Sequence, residues 1–456
     1  MPISSLGVGS SILTQDVLDQ LRAADEAKFV TPVELSIANE GDKKNALEII
    51  DANMTNLRDS IGAIKNHGLF DERTTSVNGA SVTVSASANT DIQEFTLDVQ
   101  NLATKQIEES GAFTSGSETI AGGAGSMNLN IDGQDFTIDY DATTTLDDLK
   151  NAINDIAGDK VDATVVQINS GEFRLFISSS DTGSTQDISL SDNSGNLSDT
   201  RLTGGMSVIQ SGVDANFTFN GQAITRTSNT VDDLIVGLDI TLHEVGSSQV
   251  NVEQNRDNIL EKMNSFVDKY NATMNELNSM TKSSTNSDTR GIFSNESTIK
   301  NMKRTLEDMI ASVGGGAGSM IDYGFDVDKA GTLSFDAKLF EKQLDTNPRN
   351  VEAFLAGGTF TNTDGSTIEL DGAFTEFSTK VEEYTKYNAT LDQFDNAIRE
   401  NLSTLEDRKQ NAIDRLDGKY EILKKQYAAY DSIINRYNSV SAMFTSLTNA
   451  ERAANA

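Results

Sequence analysis

The sequence predicts an α+β multidomain protein, with coiled-coil helices at both ends, a helical leg, and two β-rich head domains, one inserted into the other. Three observations lead there. Near both termini apolar residues recur at steps of three and four, the spacing of a coiled-coil seam. From residue 74 to about 252 a period of two replaces that spacing, and Gly, Ser, Thr, Asn and Asp become frequent. Within that middle stretch one short pattern occurs twice.

At the start, Leu13, Val17, Leu21 and Ala24 mark a short amphipathic helix with Ser11 or Thr14 as its cap. Pro32 interrupts it. After Gly41 a longer helix is expected, because Leu47, Ile50, Met54, Leu57, Ile61 and Ile64 alternate by three and four without exception. Gly68 is placed to end it.

Strands follow at Val82-Thr83-Val84, Phe95-Thr96-Leu97-Asp98-Val99, residues 162–168 and residues 173–177. The repeated pattern is Leu129-Asn130-Ile131-Asp132-Gly133-Gln134 with Leu146-Asp147-Asp148-Leu149, then Phe217-Thr218-Phe219-Asn220-Gly221-Gln222 with Val231-Asp232-Asp233-Leu234. Asp-Gly and Asn-Gly between alternating runs predict tight hairpins, since both residues tolerate positive φ. Thr145 and Thr230 are then expected to cap short helices.

Helical periodicity returns from residue 253. Ile259, Met263, Phe266, Tyr270, Met274 and Leu277 line one helix; Ile299, Met302, Leu306 and Met309 line the next, broken by Gly314-Gly315-Gly316. A hairpin over residues 323–335 precedes two helices capped by Asp336 and Asn347. The last seam runs Ile398, Leu402, Leu405, Ala412, Leu416, Leu423, Tyr430, Ile433, Tyr437, Val440, Phe444, Leu447, interrupted by Lys409, Lys419 and Gln426. A helix over residues 380–448 is about 100 Å long at ~1.5 Å per residue, too long for a compact domain to bury. It calls for partner helices, and an antiparallel return against the N-terminal ones is the economical arrangement. Gly418 puts a residue costing ~1 kcal/mol in mid-rod, where a hinge would fit. Residues 448–456 read as a frayed polar tail.

Composition narrows the function. With 36 basic and 69 acidic residues the chain carries a formal charge of −33, which repels phosphate and disfavours nucleic acid and anionic membrane surfaces. No cysteine is present, so thiol catalysis and disulfides are excluded. No run of apolar residues approaches a membrane span, and the first 21 residues lack the layout of a cleaved signal. His67 and His243 have no partner motif, and no G-x-S-x-G, phosphate-binding loop or H-E-x-x-H occurs. Loops at Asp192-Asn193 and Asp364-Gly365 lack the downstream Glu of a calcium loop. No enzyme, cofactor or metal is expected.

The ordered motifs resemble one family, the flagellar filament cap proteins (hook-associated protein 2). Leu6-Gly7-Val8-Gly9-Ser10 before an amphipathic helix is similar to the family's start, and Phe95-Thr96-Leu97-Asp98-Val99-Gln100-Asn101-Leu102-Ala103 to its first head strand. The stretch from Phe325-Asp326-Val327 to Gly331-Thr332-Leu333-Ser334-Phe335-Asp336 with Val351-Glu352-Ala353-Phe354 resembles its C-terminal region, as does the ending around Tyr420, Tyr427, Asp431 and Tyr437.

The resemblance implies a non-enzymatic cap at the filament tip. It would form a homo-oligomeric ring that helps exported flagellin fold and insert, and keeps it from being lost. It also implies passage through the flagellar type III export channel without a cleaved signal, and an export chaperone on the C-terminal helix. The absence of cysteine and only three prolines suit that passage. Four regions are expected: terminal coiled-coil segments at 1–40 and 400–456, a leg at 41–70 and 253–399, a first head domain at 71–115 and 213–252, and a second inserted at 116–212. Docking is expected through Leu6, Gly7, Val8, Gly9 and Ile12 with Leu416, Leu423, Tyr427, Tyr430, Ile434, Tyr437, Phe444 and Leu447. The alternative is a surface adhesin whose head domains bind host glycans or mucin.

Overall fold

Helix α1 (Gln15–Phe29) opens the chain and α2 (Thr31–Ile64) follows after a single residue. The computed structural model describes residues 14–197, 200–311, 316–329 and 331–454. The Thr14 hydroxyl caps α1 by accepting from the Val17 N–H at 3.4 Å. Pro32 does separate two helices, but α2 begins at Thr31 rather than after Gly41. Pro32 sits in its first turn, where no backbone N–H is needed, and Gly41 is carried inside the helix. The helix stops at Ile64, four residues before Gly68.

The chain divides into two compact units, residues 68–258 and residues 1–67 with 259–456. The first of these begins with α3 (Gly68–Asp71) and β1 (Arg73–Asn78), β2 (Val82–Ala86), β3 (Gln93–Asn101) and β4 (Ile107–Glu109). Next come β5 (Gly125–Ile131), β6 (Gln134–Tyr140), α4 (Leu146–Ala157), β7 (Val161–Asn169), β8 (Glu172–Ser179) and β9 (Ile188–Asp192). The unit closes with α5 (Thr200–Thr203), β10 (Ser207–Gln210), β11 (Ala215–Phe219), β12 (Gln222–Arg226), β13 (Thr230–Val231), β14 (Leu238–Leu242) and β15 (Gly246–Gln254).

Two modules share this unit. A five-stranded sheet, β1-β15-β3-β11-β12, and a three-stranded one, β13-β14-β2, enclose Phe95, Leu97, Val99, Phe217, Ile240 and Val250. The second module pairs β10-β4-β8-β7 with β6-β5-β9 and α4 around Leu129, Ile138, Leu149, Ile153 and Ile177. Strand β4 and Phe113 belong to this second sheet and core, ahead of the expected start at residue 116. A three-residue strand holding two carboxylates shows no alternation to read.

Both hairpin turns form as the spacing predicts. Asp132 and Gly133 (φ 51° and 72°) join β5 to β6, and Asn220 and Gly221 (46° and 82°) join β11 to β12. The repeats diverge afterwards. Thr145 caps α4 through a reciprocal pair with Asp148. Thr230 caps no helix and begins β13 instead. Only Ile235 and Val236 separate Leu234 from Gly237, whose φ of 86° turns the chain into β14, so the second copy has no length for a helix.

In the other unit α6 (Arg256–Thr281) buries its predicted face, and α7 (Ser297–Ala311) buries Ile299, Met302, Leu306 and Met309 of its own. Gly314 and Gly315 lie outside the described residues. Then come β16 (Phe325–Val327) and β17 (Leu333–Phe335), α8 (Ala337–Thr346) capped by Asp336, α9 (Pro348–Leu355) capped by Asn347, and the hairpin β18 (Gly358–Thr361) and β19 (Thr367–Leu370). Phe266 meets Phe374 at 4.8 Å and Phe325 at 6.0 Å, and Tyr323 stacks on Phe354 at 3.8 Å, an aromatic core for this part. Helix α10 (Ala373–Thr385) ends where Lys386 turns extended and Asn388 takes φ 59°. The final helix, α11 (Thr390–Ala454), therefore starts ten residues later than the expected rod and continues to residue 454, inside the expected frayed tail. It is continuous across Gly418, so no hinge forms there.

Candidate functional site

Helix α11 has 65 residues, about 100 Å of rod, and three different environments along it. Its first part packs against α2 and α10. Leu391 and Ile398 are buried there, and the seam of α2 from Leu47 to Ile64 is buried as well. Its middle lies against α1. Asp25 meets Lys419, Glu34 meets Lys409, and Leu47 and Asp51 lie beside Leu391 and Asp395, so the pairing is antiparallel.

The contact with α1 combines a small apolar cluster with charge pairs. Leu18, Val30, Leu416 and Tyr420 are buried together, with Ala412, Leu423 and Tyr427 against them. Arg22 binds Asp417 at 2.6 Å and Lys419 binds Asp25 at 2.6 Å, while just beyond α1 Glu34 of α2 binds Lys409 at 2.8 Å. The Tyr420 hydroxyl donates to the same Asp25 carboxylate at 2.7 Å. The hydrogen bond from Lys419, then that from Tyr420, holds the Asp25 carboxyl below its usual range. Burial, and then the bond to Asp25, pushes the Tyr420 hydroxyl up to about 12.

Beyond Tyr427 the seam is not covered in this way. Tyr437 is 73 % exposed and Phe444 63 %; Tyr430, Ile433, Val440, Met443 and Leu447 are exposed too. Ile434 is half-buried and Asp431 buried. Of the expected docking residues, the structure thus gathers Leu416, Leu423 and Tyr427 at α1 and leaves Tyr430, Tyr437, Phe444 and Leu447 as an open stripe. Leu6, Gly7, Val8, Gly9 and Ile12 lie outside the described residues.

Sequence reasoning placed the apolar face of α1 one residue out of phase. Leu18 is its buried side chain, while Leu21 and Ala24 point to solvent. The polar residues Arg22 and Asp25 turn inward because α11 offers them Asp417, Lys419 and Tyr420. Periodicity in hydrophobicity alone cannot detect such a face; opposite charges in antiparallel order could have. His67 Nδ1 lies 2.7 Å from Glu352 Oε1, and His243 Nε2 lies 2.9 Å from the Thr83 hydroxyl, in neither case part of a catalytic group. Among the described residues no His, Asp and Glu cluster has metal-ligand geometry, and no helix is long and apolar enough to cross a membrane.

A helical rod with part of its heptad seam open, on a chain that also builds two β-rich modules, defines a multidomain α+β protein with an uncovered helical face. Family models agree. The C-terminal model of flagellar hook-associated protein 2 matches residues 212–439, half of the chain, and the N-terminal model matches residues 10–106, so the chain belongs to this family. Neither match reaches residues 107–211, which hold the second β-rich module.

Among curated relatives, flagellar hook-associated protein 2 of Aeromonas caviae is 25% identical over 98% of both chains. That of Campylobacter jejuni is 28% identical over 78% of this chain and 64% of its own, and that of Helicobacter pylori J99 is 28% identical over 52% and 36%. The chain therefore spans about two-thirds or less of the Campylobacter and Helicobacter relatives' length. The fold is similar to the crystal structure of the D1-D2-D3 domains of the flagellar cap protein FliD from Escherichia coli, with a TM-score of 0.59 over 78% of this chain and 99% of that one at 21% identity.

Proposed function

We propose that the chain caps the distal end of the bacterial flagellar filament, where a homo-oligomeric ring of copies shelters exported flagellin while it folds and inserts. The role is structural, not catalytic. The observation that carries the reading is the open stripe from Tyr430 to Leu447 on a member of this family. Apolar side chains at heptad spacing gain by leaving water, at roughly 25 cal/mol per Å2, and a helix unpacked on that side is weakly stable until it docks. In this reading Leu416, Leu423 and Tyr427 hold α1. Tyr430, Ile434, Tyr437, Phe444 and Leu447, with Leu6, Gly7, Val8, Gly9 and Ile12, engage the uppermost flagellin subunits.

Terminal segments at 1–40 and 400–456, a leg at 41–70 and 253–399, and head domains at 71–115 with 213–252 and at 116–212 divide the work. The heads form the plate; the leg and termini step on the filament. The protein reaches the tip through the flagellar type III export channel without a cleaved signal, and inside the cell an export chaperone covers the stripe. Deleting residues 400–456 tests the reading: cells are expected to lose filaments and spill unpolymerised flagellin, and normal filaments would overturn it.

A second role, adhesion to host glycans through the second module, draws support from residues 107–211 lying outside both family matches. Deleting 116–212 would then abolish adhesion, and adhesion kept without those residues refutes it.

A further inference from the structure

The larger sheet of the second β-rich module ends on two open edges. In the order β10-β4-β8-β7 the outer strands are Ser207–Gln210 and Val161–Asn169. All four residues of β10 are exposed, Val208 and Ile209 at 54 % each. Strand β7 buries Val161 and Ala163 but exposes Val166, Gln167, Ile168 and Asn169. Its outer backbone is sealed at one point, where the Asn154 side chain of α4 accepts from the Ala163 N–H at 2.7 Å and donates to the Ala163 carbonyl at 2.9 Å. Outward groups alternate along an antiparallel strand, so those of Val165 and Gln167 come next. Neither meets another element among the described residues.

Charge decides what such edges can meet. A chain at −33 repels its own copies wherever acidic surfaces face each other. Residues 207–210 of β10 and 163–169 of β7 hold no Asp, Glu, Lys or Arg, and the one charge on either strand is Asp162 near the start of β7. Sheet edges are ordinarily blunted by charge, Lys above all, by Pro or by bulges; neither strand holds Lys or Pro, and each has a single bulge, between Val208 and Gln210 and between Gln167 and Asn169. Two edges that are uncharged over 207–210 and 163–169 and rich in β-branched residues, at opposite sides of one sheet, fit each other better than either fits the rest of this surface.

We propose that β10 of one copy pairs with β7 of the next, so that the sheet continues from subunit to subunit. The inference rests on the ring reading above and adds which strands join. A contact between two different patches is heterologous and closes into a ring when the rotation allows. Backbone pairing at the open edges gives it direction, and Val166, Ile168, Val208 and Ile209 leave water.

Full-length protein carrying Val208→Lys and, separately, Val166→Lys tests this by sedimentation velocity over a concentration series. Each variant is expected to weaken self-association about tenfold or more, with circular dichroism and melting unchanged. Mixed one to one, the two retain one intact edge each and are expected to form a dimer that grows no further. Val236→Lys, exposed between β13 and β14, is expected to assemble like wild type. Ile209→Lys and Ile168→Lys serve as the second pair if a first variant loses its fold. Wild-type assembly in both edge variants overturns the pairing while the ring reading stands. Assembly lost in Val208→Lys but kept in Val166→Lys points to a two-fold β10 contact and also overturns it. A wild-type chain that never leaves the monomer overturns both.

Discussion

Two stretches of α11 carry the same heptad spacing and meet different fates. From Leu416 to Tyr427 the seam is covered by α1, with Arg22–Asp417 and Asp25–Lys419 pairs along the contact; from Tyr430 to Leu447 it is largely exposed. The pattern states that a partner helix is needed. It does not state whether the same chain supplies it. In the covered part local charge settles the matter, because α1 presents acid and base in the order α11 requires. The open part meets no such helix, and in the proposed function it is left for another molecule.

The largest expected effect falls on the open part and on function alone. Tyr437→Ala with Phe444→Ala should abolish filament growth while shifting the unfolding of the free subunit by no more than about 0.5 kcal/mol, since both side chains already face water. A large loss of stability, read by denaturant melting, would mean that the stripe is covered within the subunit. Leu416→Ala reverses the pattern. Leu416 is 5 % exposed, and its truncation should cost about 2 kcal/mol and release α1, seen as faster amide exchange over residues 15–29.

A smaller effect comes from pH. The Asp25 carboxyl is held below its ordinary value of 3.8, so the stability it contributes is present above that value and is lost as the pH falls below it. Tyr420 has the opposite sign. Its hydroxyl is raised from 10.0 to about 12, so its contribution is present below 10 and is lost as the pH rises from 10 to about 12. Exchange over α1 should accelerate at both extremes, and Asp25→Asn should remove the acid limb. An acid limb unchanged in that variant would assign it to another carboxylate.

The smallest change is Gly418→Ala. The added methyl meets nothing within 4 Å and the helix is unbroken there, so a gain of about 0.5–1 kcal/mol is expected with filament growth intact. Lost growth would restore the hinge.

Much of this fold was legible because single residues dictate local geometry. Asp132-Gly133 and Asn220-Gly221 specify their turns by tolerating positive φ, and Thr145, Asp336 and Asn347 specify helix starts by what their side chains accept. The errors arose where tertiary context or chain length prevailed. Pro32 marks a helix start as readily as a break, and Thr230 fails as a cap because Gly237 follows too soon. The inward face of α1 is half polar, and only the partner explains it. The open half of the seam was readable as a need for partners, while the split at Tyr427 depends on where α1 lies along α11.

Amide exchange on the full-length protein, free and assembled at filament tips, tests the central claim most directly. The account predicts slow exchange over α2 and residues 391–427 in both states, and over residues 430–454 fast exchange in the free subunit that becomes slow on assembly. Protection of 430–454 in the free monomer, or none after assembly, would contradict it.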